Sequence, residues 1–255
     1  MLISIINRTQ HEHGLSDADV QQAVRAINRQ LAEDFEPHWQ FGARLRLDAS
    51  FERTKDGGEK ALVREMPQRR GDAVVYLVDG SSVADAEGYH DRNGGDVPCG
   101  FVSLDACREC NDPWQMTLSH EVLELVGDPM ANLMVQGPHP HERHKLVFHT
   151  FELCDPVQAD SYEIDGVPVS NFVLPAWFTR GDAVGGRNDF IGRRRDRAPL
   201  ESFRMAPGGY LCYWDPQRDG DKWTHVMADA QAESRLAAKA KTKLGRMRRL
   251  RHVGR

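Results

Sequence analysis

An α+β fold is the class this sequence predicts, and three observations carry the prediction. A short apolar run, Leu2 to Ile6, opens the chain as a buried strand. Two well-marked helices follow at a distance from each other, with further strand-like runs between them. The second half, from about Asp160, reads as hairpins and loops rather than as more alternating strand and helix. The expected architecture is therefore a mixed sheet packed on an N-terminal helix and a second, central helix, extended C-terminally by hairpins and loops.

Taken in order, the first helix starts at Ser16, an N-cap with Asp19 at its third position, and runs to Pro37 with Val20, Val24, Ile27, Leu31 and Phe35 as its apolar stripe. Phe41 to Phe51 alternates, with Ala43, Leu45 and Leu47 inward, and Ala73 to Val78 is a compact apolar run, so both are strands separated by a turn over Thr54 to Glu59. Ala84 to Gly95 is polar and glycine-rich, and Cys99 to Leu104 resumes a strand. The central helix occupies NDPWQMTLSHEVLELVGDPM: Asp112 as N-cap, Pro113 in the first turn, Gln115 in the capping-box position, and Gly127 with Pro129 as the stop. Tyr162 to Val169 forms a hairpin around Asp165-Gly166, Ser170 to Phe178 is an apolar segment broken by Pro175, and Tyr210 to Trp214 is a strand after Gly208-Gly209. Three segments result: residues 1–158 as the main domain, 159–228 as an extension packed on it, and 229–255 as a basic helical or disordered tail.

Composition narrows the class. The chain has 255 residues, 40% of them hydrophobic, enough for a sizeable core. Nine Lys or Arg and no acid lie between Arg235 and Arg255, so with a net charge of −5 the first 234 residues carry −14. No apolar run approaches the length of a membrane span, and MLISIINRTQ lacks the features of a signal peptide, which predicts a cytoplasmic location while leaving signal-independent export or a phage-associated role open. Five cysteines fit reduced thiols better than a disulfide framework.

The chemistry concentrates in the central helix. Leu118, Val122, Leu125 and Val126 share one face, whereas His120 and Glu124, four residues apart, lie together on the opposite face. An imidazole and a carboxylate at that spacing reach one zinc ion at about 2.0–2.2 Å each. Glu121, beside the first ligand, is placed to act as general base on the water such an ion activates, the logic of the HExxH helix with Glu124 in place of the second His. The plain alternative is an ordinary i,i+4 His/Glu pair on a solvated face. A catalytic zinc site needs a third protein ligand. Asp128, His149, Glu152 and Asp155 are the candidates, the last two also readable as a strand-end carboxylate and a turn-initiating Asp-Pro.

With His120, Glu121 and Glu124 in hand, the chain resembles the zincin-like metallopeptidases, in an HExxE variant similar to forms found among bacterial and phage proteins. The likeness covers roughly Met1 to Pro156. It departs from the metzincin pattern at two ligands: Glu124 replaces the second His, and Met130 occupies the place of the third. What the resemblance implies is a single catalytic Zn2+, hydrolysis of peptide bonds with Glu121 as general base, and Glu152 as third ligand by analogy with the downstream Glu of gluzincins. It also implies a substrate cleft along an edge strand, placing Gly88 to Ser103 at that cleft. A carboxylate in place of an imidazole adds negative charge, so the expected enzyme is slow or selective, or most active above neutral pH.

Remaining features weigh less. Tyr89, His90, Tyr162, Tyr210 and His225 are candidates for stabilising an oxyanion, though each reads more readily as core or surface. His139, His141, His144 and His149 read as a solvated loop because Pro138 and Pro140 interrupt any helix. Cys107 and Cys110 have C-x-x-C spacing, with only Cys99, Cys154, Cys212 or a stray His to complete a zinc site, and read as a loop with two thiols. Arg193, Arg194, Arg195 and Arg197, with the tail Arg235 to Arg255, offer phosphate-binding charge but no aromatic platform in the tail, so a solvated loop and tail is the preferred reading over nucleic-acid contact. Two non-catalytic alternatives stay open: a zincin-shaped structural or binding protein of a phage or secretion assembly, and a nucleic-acid-associated protein.

Overall fold

The computed structural model describes residues 1–9, 14–48, 71–80, 88–92, 96–142, 144–179, 187–192, 199–218 and 223–230. The predicted turn at Thr54–Glu59, the arginines at 193–197 and the tail from Arg235 lie outside them.

An α+β arrangement forms around a five-stranded sheet. Strands β1 (Leu2–Asn7), β2 (Arg44–Asp48), β3 (Ala73–Val78) and β5 (Pro98–Ser103) run parallel, and β4 (Gly88–Arg92) closes one edge antiparallel to β5 in the order β2-β1-β3-β5-β4. Parallel strands buried on both faces carry continuous apolar sequence. Accordingly Ile3, Ile5, Val75, Leu77 and Val102 join the main core, while Ile6, Val74, Tyr76, Cys99 and Phe101 form a smaller cluster.

Helix α1 (Asp17–Arg29) starts as expected: Ser16 Oγ accepts from the Asp19 amide at 3.2 Å, and Asp19 Oδ2 accepts from the Ser16 amide at 3.2 Å. All five residues of its predicted stripe are buried. Its continuation differs. Gln30–Phe35 widens into a π-helical stretch, in which the Glu36 amide bonds back to the Leu31 carbonyl, before a last α turn, α2 (Glu36–Trp39). Pro37 has no N–H to offer the Glu33 carbonyl, and a wider turn relieves the clash its ring would make there.

Two helices follow β5, α3 (Leu104–Glu109) and α4 (Trp114–Gly127). The first overturns the loop expected around Cys107 and Cys110: Ser103 Oγ accepts from the Ala106 amide and caps a short helix, Cys107 sits buried within it, and Cys110 is its C-cap. Among the described residues no disulfide joins the five cysteines. Helix α4 begins one residue later than expected, with Pro113 rather than Asp112 as N-cap and no side-chain cap.

A second sheet, β11-β10-β7-β6, is antiparallel and built from β6 (Met134–Pro138), β7 (Leu146–Thr150), β10 (Tyr210–Trp214) and β11 (Trp223–Met227). Its β6–β7 hairpin corrects the solvated-loop reading at His139 and His149, whereas His141 and His144 are exposed in the connection between the strands, as expected. His139 and His149 are buried there: His139 Nδ1 accepts from the amides of His141 and Glu142, and His149 Nε2 meets the Pro138 carbonyl at 3.0 Å. The expected hairpin around Asp165-Gly166 is present as β8 (Ser161–Ile164) and β9 (Val167–Ser170), with both turn residues at positive φ (52° and 75°), as a two-residue type I′ connection requires. One apolar cluster runs from Ile3 through Val122, Val169 and Trp177 to Leu211, so the core is continuous across the boundary expected at residue 158. Among the described residues no helix is long and apolar enough to cross a membrane.

Candidate metal centre

Helix α4 packs between strands β4 and β5 of the first sheet and the β8–β9 hairpin, and every residue from Met116 to Gly127 is buried. This corrects the expectation of a helix with one free face. The apolar side, with Leu118, Val122, Leu125 and Val126, joins the core as predicted. The His120–Glu124 side is covered too, by β4 on one flank and by the segment after β7 on the other. What covers it is polar.

Strand β4 supplies His90. Period-2 alternation turns Tyr89 away, where it stacks on Phe101 at 4.9 Å, and leaves Gly88 and His90 on the helix side. Gly88 allows close approach: a Cβ there would lie 2.7 Å from Glu121 Cγ and 2.8 Å from its Oε1. Opposite His90 in the ladder stands Gly100, which adds no side chain to compete for that space. The His90 ring, 3% exposed at its side chain, places Nδ1 at 3.5 Å from Glu121 Oε2 and 3.6 Å from Glu124 Oε2, and Nε2 at 3.7 Å from Glu152 Oε2.

Residues 151–157 supply the remaining carboxylates. Gly127 lets this segment pass close to the end of α4, since a Cβ there would come within 2.6 Å of Leu153 Cδ1. A 3-10 turn, Asp155–Val157, follows, with Pro156 in its first positions. As the chain enters it, the amides of Cys154 and Asp155 donate to Glu124 Oε1 at 3.2 and 3.3 Å, which fixes the carboxylate on its helix. Close approach at Gly209, where a Cβ would overlap the Pro156 carbonyl, brings in Tyr210, whose hydroxyl bonds to Asp155.

The outcome is one buried cluster of four carboxylates and two imidazoles: Glu121, Glu124, Glu152, Asp155, His90 and His120. His120 Nε2 stands 3.4 Å from Glu124 Oε1 and 3.4 Å from Asp155 Oδ1. Ligand atoms set tetrahedrally at about 2.1 Å from one ion lie about 3.4 Å apart, so these two distances are those of a closed zinc coordination edge. The donor set of imidazole and carboxylates fits a divalent ion of the zinc class.

Electrostatics follow from burial. Loss of water pushes the Glu124 carboxyl above its usual range, and the Asp155 charge adds to this while the His120 ring opposes it. For His90, burial favours the neutral ring, but the charge on Glu152 and the contact with Glu121 outweigh it, so its pKa rises. Burial raises the Tyr210 phenol and the Cys154 thiol well above their ordinary values, and in both the neighbouring carboxylates add to it. Tyr210 therefore enters the site as a neutral donor.

Among the expected ligands, His120 and Glu124 meet as predicted, and Asp155 rather than Glu152 shares their group. Glu152 joins His90 and Glu124 in a second group. Neither group contains Asp128 or His149: Asp128 Oδ2 accepts from the Leu133 amide at 2.8 Å, and His149 packs on Phe203 in the second sheet. Tyr162 is committed elsewhere, donating to Asp34 at 2.8 Å, and His225 lies on β11 near the Tyr210 ring. His90 was legible only as an oxyanion candidate. The signal for more was its place two residues after Gly88 in a strand ending at the site.

Comparison of the chain with protein-family models, with curated proteins and with solved structures finds no match.

Proposed function

We propose that the protein is a zinc-dependent hydrolase of peptide bonds, similar in plan to the zincin-like metallopeptidases. The observation that carries this reading is the His120, Glu124 and Asp155 group, in which His120 Nε2 stands 3.4 Å from a carboxylate oxygen of each of the other two, the spacing of neighbouring ligand atoms around one zinc ion. A charged group taken from water is costly unless it is paired or coordinates a metal, and this cluster gathers four carboxylates.

In this reading His120, Glu124 and Asp155 hold the ion, and the amides of Cys154 and Asp155 with the Tyr210 hydroxyl orient the two carboxylates from behind. The ion, when bound, polarises the scissile carbonyl and acidifies the attacking water. Glu121 takes the proton of that water and passes it to the leaving amine. Its position supports the role, since its Oε1 lies against the backbone of Gly88 on the edge strand. A peptide added in extended form along β4 would pass beside Glu121. The carboxylate-rich ligand set keeps the expectation of an enzyme that is slow or selective, or most active above neutral pH.

The same burial supports a second reading, that of a structural metal centre in a binding protein. None of the six side-chain-bearing residues is more than 9% exposed, as expected of a centre that stabilises rather than turns over. Measuring metal by mass spectrometry and hydrolysis against a peptide library decides between them. The peptidase reading expects bound zinc, lost in His120→Ala, with cleavage that falls by about 10² to 10⁴ in Glu121→Gln while zinc is retained. Bound zinc without cleavage favours the structural centre; no zinc after incubation with the ion overturns both. The nucleic-acid alternative rests on Arg235–Arg255, outside the described residues.

A further inference from the structure

Resting on the metal-centre reading above, we propose that the site is dinuclear: His90 and Glu152 hold a second divalent ion, and Glu124 bridges it to the ion held by His120 and Asp155. The Glu124 carboxylate is already divided between two groups. Oε1 lies 3.4 Å from His120 Nε2, and Oε2 lies 3.6 Å from the His90 ring. His90, Glu124 and Glu152 can offer ligand atoms within 4.8 Å of one another, as do His120, Glu124 and Asp155. A carboxylate presenting one oxygen to each of two ligand sets is the bridge of a two-metal centre, whose ions sit about 3.5–4 Å apart.

His90 is the independent sign of a ligand. Its side chain is 3% exposed, its Nε2 faces Glu152 at 3.7 Å, and that nitrogen makes no hydrogen bond among the described residues. Its other nitrogen, Nδ1, faces Glu121 Oε2 at 3.5 Å, a carboxylate outside both ligand sets, the arrangement that orients a metal-bound imidazole through the ring atom that does not bind. Charge agrees. One divalent ion offsets half the charge that four carboxylates carry when all are ionised, whereas two offset all of it.

The test is zinc stoichiometry of the full-length protein after removal of metal and equilibration with Zn2+, together with electron paramagnetic resonance of the Mn2+-loaded form. The expected result is two zinc equivalents in wild type, one in His90→Ala and one in Glu152→Gln, with an exchange-coupled Mn2+ spectrum that becomes mononuclear in either variant. Glu152→Gln keeps the shape of the side chain and guards against a fold defect in His90→Ala. One equivalent in wild type, lost in His120→Ala but kept in both His90→Ala and Glu152→Gln, overturns the second site and leaves the first standing. No bound zinc at all overturns both.

Discussion

Ser119 donates its hydroxyl to the side-chain oxygen of Gln30 at 2.6 Å, joining the residue that precedes His120 to the first residue of the π-helical stretch. Gln30 is fully buried; its amide nitrogen donates to the Ser170 carbonyl at 2.8 Å and to Tyr162 Oη at 3.1 Å, while the Ser170 amide donates back to Ser119 at 3.1 Å. Two helices and the β8–β9 hairpin are thus held in register by one closed polar network beneath the His/carboxylate cluster. Replacing Gln30 with Met keeps volume but strands Ser119 and Ser170 in the core. Leaving such groups unsatisfied costs about 1–3 kcal/mol each, so Gln30→Met should destabilise by about 2–6 kcal/mol in urea denaturation. A cycle with Ser119→Ala should show coupling of about 0.5–3 kcal/mol, and additive effects would contradict a shared network.

That network also marks where the sequence is readable and where it is not. Val20, Val24 and Ile27 reveal their helix because one buried stripe at helical spacing has one explanation. Asp165-Gly166 reveals its hairpin because the turn needs two positive φ angles. His120 and Glu124 are legible as partners because four residues is a local distance. Glu152 and Asp155 are legible only among several candidate ligands, and His90 not as a ligand at all, because their convergence depends on how tightly β4 and residues 151–157 close on α4, which Gly88, Gly127 and Gly209 set through space they leave empty. Burial of His139 was hidden for a related reason: two backbone amides at 3.1 Å satisfy its ring inside a hairpin, a partnership that composition does not encode.

Metal should couple to stability, since a ligand that binds only the folded chain stabilises it. At a free zinc concentration of about 100 times Kd, one site adds about 2.7 kcal/mol. For a chain of this size, that amounts to a rise in Tm of about 5–10 °C in differential scanning calorimetry. Chelation should reverse it. Glu121→Gln should keep the rise and His120→Ala should lose the share that the first ion supplies; a Tm indifferent to zinc in wild type would contradict ligation by this cluster.

Gly88 offers a way to disturb Glu121, the proposed base, without touching the proposed ligands His120, Glu124 and Asp155. A methyl group there would lie 2.7 Å from Glu121 Cγ and 2.9 Å from Thr117 Cγ2, so the edge strand or the Glu121 side chain must move. Overpacking of this kind costs about 1–3 kcal/mol. Gly88→Ala should therefore lower stability by that amount and reduce hydrolysis by at least tenfold, while the zinc held by His120, Glu124 and Asp155 is retained. Full activity in Gly88→Ala, with kcat and KM both unchanged, would show that Glu121 does not act from this position.

The β6–β7 hairpin sets a pH dependence of its own. Burial lowers the pKa of both His139 and His149 below the ordinary value of about 6.5, and for His139 protonation of Nδ1 would also break the bonds from the His141 and Glu142 amides. Because the folded chain binds these protons less readily than the unfolded one, the stability the neutral rings contribute is complete above about pH 6.5 and declines as pH falls below it. Thermal unfolding between pH 7.5 and 5 should thus show a falling Tm that is shallower in His149→Gln than in wild type, and shallower again when His139→Gln is added. Comparing the zinc-loaded proteins holds the metal centre common to each curve, so the difference between the curves reports the hairpin. If all three curves run parallel, the two rings do not titrate against folding, and the acid sensitivity of the chain resides elsewhere.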